Sequence, residues 1–133
     1  GHDHYANGDE YIGEVKVVRG GSVVKHGLGV YRFSRGSCYE GEWCDGVMQG
    51  WGRFVEADVG DVFEGHWRAG KRFFGRYCFA NGDIYEGGFV DNLKHGRAVV
   101  WEGHEMYEVE FHRDELVSKV PFATQGPRKK SRR

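Results

Sequence analysis

Phe73-Phe74-Gly75-Arg76-Tyr77-Cys78-Phe79-Ala80-Asn81-Gly82-Asp83-Ile84-Tyr85-Glu86-Gly87-Gly88-Phe89 decides the fold. Phe73, Gly75, Tyr77 and Phe79 fall on every second position, and Tyr85, Gly87 and Phe89 do so again after a polar break. A period of two with aromatic residues on one parity describes strands with one buried face. Ala80-Asn81-Gly82 between them is a turn signal. A three-residue loop ending on a left-handed glycine keeps both aromatic sets on the same face. The segment reads as a β-hairpin.

The same unit recurs along the chain. Tyr11-Ile12-Gly13-Glu14-Val15, Tyr39-Glu40-Gly41-Glu42-Trp43, Phe63-Glu64-Gly65-His66-Trp67, Tyr85-Glu86-Gly87-Gly88-Phe89 and Tyr107-Glu108-Val109-Glu110-Phe111 are variants of one strand. Between them lie Gly27-Leu28-Gly29, Gly50-Trp51-Gly52, Phe73-Phe74-Gly75 and Gly96-Arg97-Ala98. The turns are Arg35-Gly36, Val59-Gly60, Asn81-Gly82 and Glu102-Gly103. Self-similarity at this spacing marks a repeat architecture in which each unit buries its face against its neighbours.

Composition agrees. Glycine supplies 22 of 133 residues and aromatics 15 %, with only 2 prolines. Glycine without proline excludes a collagen or Pro-rich linker, and the aromatic content excludes a disordered chain. No apolar run approaches the roughly 20 residues of a membrane helix. A net charge of −1 gives no reason to expect nucleic-acid binding. Cys38, Cys44 and Cys78 are odd in number and form no C-x-x-C, which reads as reduced thiols in a cytoplasmic protein. The chain begins at Gly1 and not at methionine, and its first unit enters the repeat in mid-hairpin, features that a piece of a longer protein would show.

His26-Gly27-Leu28-Gly29 and Asn81-Gly82-Asp83-Ile84-Tyr85-Glu86-Gly87 resemble the MORN repeat (membrane occupation and recognition nexus). The resemblance covers residues 5–111. It departs from the pattern in the extra residues around Val17 to Val24, at Phe73 in place of a glycine, and at Ala98 and Val109 in the last unit. It implies an all-β fold: one elongated, twisted, antiparallel sheet of consecutive β-hairpins. Residues 1–111 are expected to form four to five units, with the first truncated and the last degenerate. Residues 112–127 are expected to form an irregular cap, and residues 128–133 a disordered basic tail. Tyr31, Phe33, Tyr39, Trp43, Phe54, Phe63, Trp67, Tyr77, Phe79, Tyr85, Phe89 and Phe111 are the expected core.

The opposite parity carries the candidate interaction surface. Leu28, Trp51, Phe74 and Arg97 are equivalent positions, as are Val30, Arg53, Arg76 and Val99. A ladder of arginines against Glu40, Glu64 and Glu86 explains the charges without a partner. It does not explain Leu28, Trp51 and Phe74. Large apolar residues beside arginines are the composition of interaction hot spots. Leu28, Trp51, Arg53, Phe74 and Arg76 are therefore the candidate partner-binding residues.

No catalytic motif is present, and no enzyme, cofactor or metal site is expected. His26 and His95 occupy one repeat slot before a turn. His2-Asp3-His4 has the makings of a metal ligand but falls in a terminus expected to be disordered. Arg128, Lys129, Lys130, Arg132 and Arg133 form a basic tail on an acidic body. Such a tail attracts anionic lipid weakly.

The resemblance implies a non-enzymatic scaffold or adaptor, linked to the cytoskeleton or a membrane. It would bind a protein partner or a second copy of itself. The alternatives are a phospholipid-contacting module and a regulatory segment of a longer enzyme.

Overall fold

The computed structural model describes residues 1–122. They form one antiparallel sheet of eleven strands in strict sequence order. The strands are β1 His2–His4, β2 Glu10–Val17, β3 Val23–Arg32, β4 Cys38–Cys44, β5 Val47–Val55 and β6 Val62–Arg68. They continue as β7 Lys71–Cys78, β8 Ile84–Val90, β9 Leu93–Glu102, β10 Glu105–His112 and β11 Glu115–Pro121. No α-helix occurs among the described residues; one 3-10 turn, Arg19–Gly21, takes up the extra length in the first unit.

The glycines set the geometry. Gly13, Gly29, Gly41, Gly52, Gly65, Gly75 and Gly87 stand opposite one another across successive strands. They leave a trough on the front face in which the leading aromatics lie flat. A Cβ on Gly29 would run into the ring of Tyr11, and one on Gly52 into the ring of Tyr39. Tyr11, Tyr39, Phe63 and Tyr85 are in consequence essentially fully buried, although the sheet is a single layer. Trp43 and Trp67 pack edge-on between them, at ring distances of 5.1 to 5.5 Å. Each indole N–H donates to a carbonyl of the trough, Trp43 to Gly29 and Trp67 to Gly52. Tyr31, Phe54, Tyr77, Phe79 and Phe111 pack around this cluster, and Phe33 lies against Tyr31 and Phe54.

Each turn type has its own chemistry. The 80–82 and 34–36 loops have three residues, closed by Phe79 N–H to Asp83 O and by Phe33 N–H to Ser37 O, with Gly82 and Gly36 left-handed. The third unit uses a four-residue loop, 57–60, which suits the opposite parity of Phe54 and Phe63. At the other end of the strands, two-residue turns put both central residues at positive φ, as at Asp91-Asn92 and Arg113-Asp114.

A polar slot locks the three-residue loops to the core. Asp9 accepts hydrogen bonds from the Tyr31 hydroxyl at 2.6 Å and the Ser34 N–H at 2.8 Å. Asp61 does the same for Tyr77 and Ala80. Where Phe54 replaces the tyrosine, Ser37 replaces the aspartate and accepts only from the Ala57 N–H. Burial, with the carboxylate beside the hydroxyl, pushes Tyr31 and Tyr77 up to about 12.

Tyrosine hydroxyls also answer the bulges. Register shifts follow Gly13, Gly41 and Gly87. There Tyr11 donates to Glu14 O, Tyr39 to Glu42 O and Tyr85 to Gly88 O, at 2.6 to 2.8 Å. The third unit has Phe63, which cannot donate, and its irregularity moves to the partner strand. His66 pairs with Phe74 and Trp67 with Arg72, so Phe73 becomes the extra residue. Phe73, expected on the aromatic face, is instead 41 % exposed and stacks under the Arg68 guanidinium at 3.7 Å.

Arg72 takes the vacated slot on the front face, 5.2 to 5.9 Å from the ring centres of Phe89, Tyr77 and Phe63. Lys25 and Lys94 hold equivalent places over the rings of other units. Burial lowers the pKa of Arg72, and the ring faces partly replace the water it has lost.

Two further corrections concern the ends. The irregular cap expected from residue 112 is not found at Glu115–Pro121, which pairs with β10 as β11. Every residue of β11 is exposed, so the strand shows no buried parity to read from sequence. His2–His4, expected to be disordered, is β1 and pairs with β2. The basic tail, residues 128–133, lies outside the described residues.

Candidate functional site

The back face consists of two rows of side chains separated by the glycine backbones. One row runs Ile12, Val30, Glu40, Arg53, Glu64, Arg76, Glu86 and Val99 across eight strands. Its centre is the expected charge ladder: Arg53 Nε meets Glu64 at 3.2 Å and Arg76 meets Glu86 at 3.5 Å. All four groups are two-fifths to one-half exposed, so each pair contributes a few tenths of a kcal/mol.

The second row contains Leu28, Trp51, His66 and Phe74. Leu28 is 62 % exposed, and Trp51 and Phe74 are each 50 % exposed. Trp51 and Phe74 stand on either side of His66, which is directly opposite both. The Trp51 and His66 rings meet edge to face at 5.8 Å. The backbone below is fixed by a side chain of the bulge: Glu42 Oε1 accepts from the Trp51 N–H at 2.6 Å, as Glu14 does from Leu28. The glutamates of the bulges therefore hold the N–H groups of the residues that carry the apolar side chains.

Between the two rows the glycines leave recesses. One, of about 520 Å³, has Gly29 and Gly41 as its floor, Leu28 and Trp51 on one wall, and Ile12, Val30 and Arg53 on the other. A second, of about 530 Å³, lies over Gly87 and Ala98, bounded by Phe74 and Arg97 on one side and Glu86 and Val99 on the other. All five candidate residues thus lie on one face. Leu28, Trp51 and Arg53 border one recess, Phe74 borders the other, and Arg76 belongs to the central ladder.

Sequence reasoning missed Ile12, which is 40 % exposed and extends the apolar wall to β2. Its parity matches Val30, so the alternation itself held the signal.

The remaining polar groups do structural work. Nδ1 of His26 accepts from the Asp45 N–H, and Nδ1 of His95 from the Arg113 N–H, both in two-residue turns. Gln49 fills the same slot for Ala69. The three cysteines are free. Burial pushes the Cys78 thiol up, the reverse of what an activated nucleophile needs. No helix among the described residues is long and apolar enough to cross a membrane.

A strand-only sheet of consecutive hairpins, with a glycine trough under stacked aromatics, defines a solenoid-like repeat module rather than an enclosed domain. The chain belongs to the MORN repeat family, which it matches at residues 24–38, 39–55, 63–73 and 85–101. Over 83 residues it is 34 % identical to alsin from Rattus norvegicus and likewise to alsin from Homo sapiens, covering 59 % of this chain and 5 % of alsin. It is 30 % identical over 83 residues to the human ALS2 C-terminal-like protein, of which the match covers 9 %. The similarity thus spans a small part of each of these relatives.

Proposed function

We propose that this chain is a non-enzymatic scaffold or adaptor whose back face receives a protein partner. MORN repeats are as a rule non-catalytic modules. The observation that carries the reading is the set of Leu28, Trp51 and Phe74, half or more exposed on one face of a sheet whose other face already holds the core. Burying such side chains on a partner removes apolar area that folding leaves in water. The recesses on either side of the Trp51–His66–Phe74 centre suit projecting side chains of that partner. Arg53 and Arg76, already paired with glutamates, supply orientation rather than bulk affinity.

The test compares the intact chain with a Trp51→Ser/Phe74→Ser variant in partner capture from cells expressing each. Proteins recovered with the intact chain and lost with the variant support the reading, and recovery unchanged by the variant contradicts it. Sedimentation of both proteins distinguishes self-association, which the variant should abolish if a second copy is the partner. Liposome co-sedimentation with phosphoinositide vesicles, using the intact chain beside one ending at Gly126, tests the lipid alternative. Binding that survives removal of the tail would replace the protein-partner reading.

A further inference from the structure

The first edge of the sheet carries a cluster that the repeat does not require. The pairing of β1 with β2 sets His2 opposite Ile12 and His4 opposite Glu10. His2 and His4 are two apart on a strand, so both imidazoles leave the same face. Glu10 reaches them from the neighbouring strand. Its Oε2 lies 2.6 Å from Nε2 of His2 and 3.8 Å from Nε2 of His4. The three ligand atoms fall within 4.8 Å of one another. The other Glu10 oxygen turns toward Arg32 at 4.0 Å. In later units the position of Glu10 is taken by Cys38, Val62, Ile84 and Met106, so no repeat rule demands a carboxylate there.

We propose that His2, His4 and Glu10 bind one Zn²⁺ ion, with the fourth coordination position open. Two imidazoles and a carboxylate are a donor set that zinc accepts, and three protein ligands with one open place is its non-structural pattern. Tetrahedral zinc with bonds near 2.0–2.1 Å holds its ligand atoms about 3.3 Å apart. The present separations bracket that value. The imidazoles, 53 % and 71 % exposed, can rotate to it without moving the backbone.

The ion takes the place of the direct His2–Glu10 hydrogen bond, and the Arg32 contact on the other oxygen is retained. It ties β1 to β2 at the edge where the sheet has only three residue pairs. It also stands beside Ile12, at the end of the apolar recess, where the open position is available to water or to a group from a docked protein.

The test is calorimetric titration of the full 133-residue chain with zinc chloride, alongside cobalt(II) followed by visible absorption. One equivalent should bind. Cobalt should give a four-coordinate spectrum without a sulfur charge-transfer band. His4→Ala and Glu10→Gln should each weaken binding by more than about tenfold. His104→Ala, an exposed histidine between β9 and β10, should leave it unchanged.

Imidazole proton NMR of the unaltered chain gives a readout independent of variant folding: zinc should shift two of the seven histidines. Absence of one-equivalent binding, affinity unchanged in both ligand variants, a thiolate band, or NMR shifts confined to other histidines would each overturn the proposal.

Discussion

Tyr39 on β4 and Trp51 on β5 are large aromatic residues on adjacent strands, and they face opposite ways. Tyr39 is 0 % exposed, lies over Gly41 and Gly52, and donates to the Glu42 carbonyl. Trp51 is 50 % exposed and has one ring neighbour, His66. The first is held by a trough built for it. The second has only its backbone N–H held. An aromatic ring in a single-layer sheet is thus core only where glycines on the neighbouring strands make room for it. The face without that trough displays its rings.

The comparison breaks most visibly at Tyr39. Tyr39→Ala removes a fully buried ring and leaves a bulge carbonyl without its donor, a loss of about 3–5 kcal/mol. Urea unfolding followed by tryptophan fluorescence measures it, and a loss under about 1 kcal/mol would mean that the trough does not hold the fold. Gly52→Ala attacks the same packing from below. Its new Cβ meets the Tyr39 ring, and overpacking of this kind costs about 1–3 kcal/mol. A neutral result in the same unfolding assay would show that the ring has room to lift.

Tyr77→Phe keeps the ring and removes only the hydroxyl bond to Asp61, with an expected cost near 1 kcal/mol at neutral pH. It also changes the alkaline limb. Tyr31 and Tyr77 stand at about 12 in the folded chain against 10.0 unfolded. The unfolded chain therefore loses these protons first. Stability is fully present below pH 10 and falls as pH rises from there toward 12. The variant should flatten that fall in a pH series of unfolding curves; an unchanged slope would remove Tyr77 as a contributor. Smallest is Arg76→Ala, which breaks an exposed pair and should shift stability by no more than a few tenths of a kcal/mol.

How much of this was legible in the sequence varied with burial. Strands with one buried parity, such as Phe63 to Trp67, were plain, and so were the loops ending at Gly36 and Gly82. β11 was not, because none of its residues contributes to the core, and pattern reading detects strands through the parity they bury. Arg72 and Lys94 on the aromatic face also resisted reading, since a cation at a core parity normally signals an error of register. Here ring faces accept it. Phe73 was misplaced because the bulge moves to β7 when Phe63 lacks a hydroxyl, a coupling between residues ten apart in sequence. The back-face residues were assigned by parity alone, and Ile12 shows that the same parity continues one unit earlier than expected.

The most direct test of the account is equilibrium unfolding of Trp51→Ser/Phe74→Ser beside Tyr39→Ser. The double variant should keep a cooperative transition and lose no more than about 1 kcal/mol per site, as expected for surface residues, while the single Tyr39 variant loses several times as much. A double variant as damaged as the Tyr39 variant would place Trp51 and Phe74 in the core and contradict the proposal that the back face binds a partner.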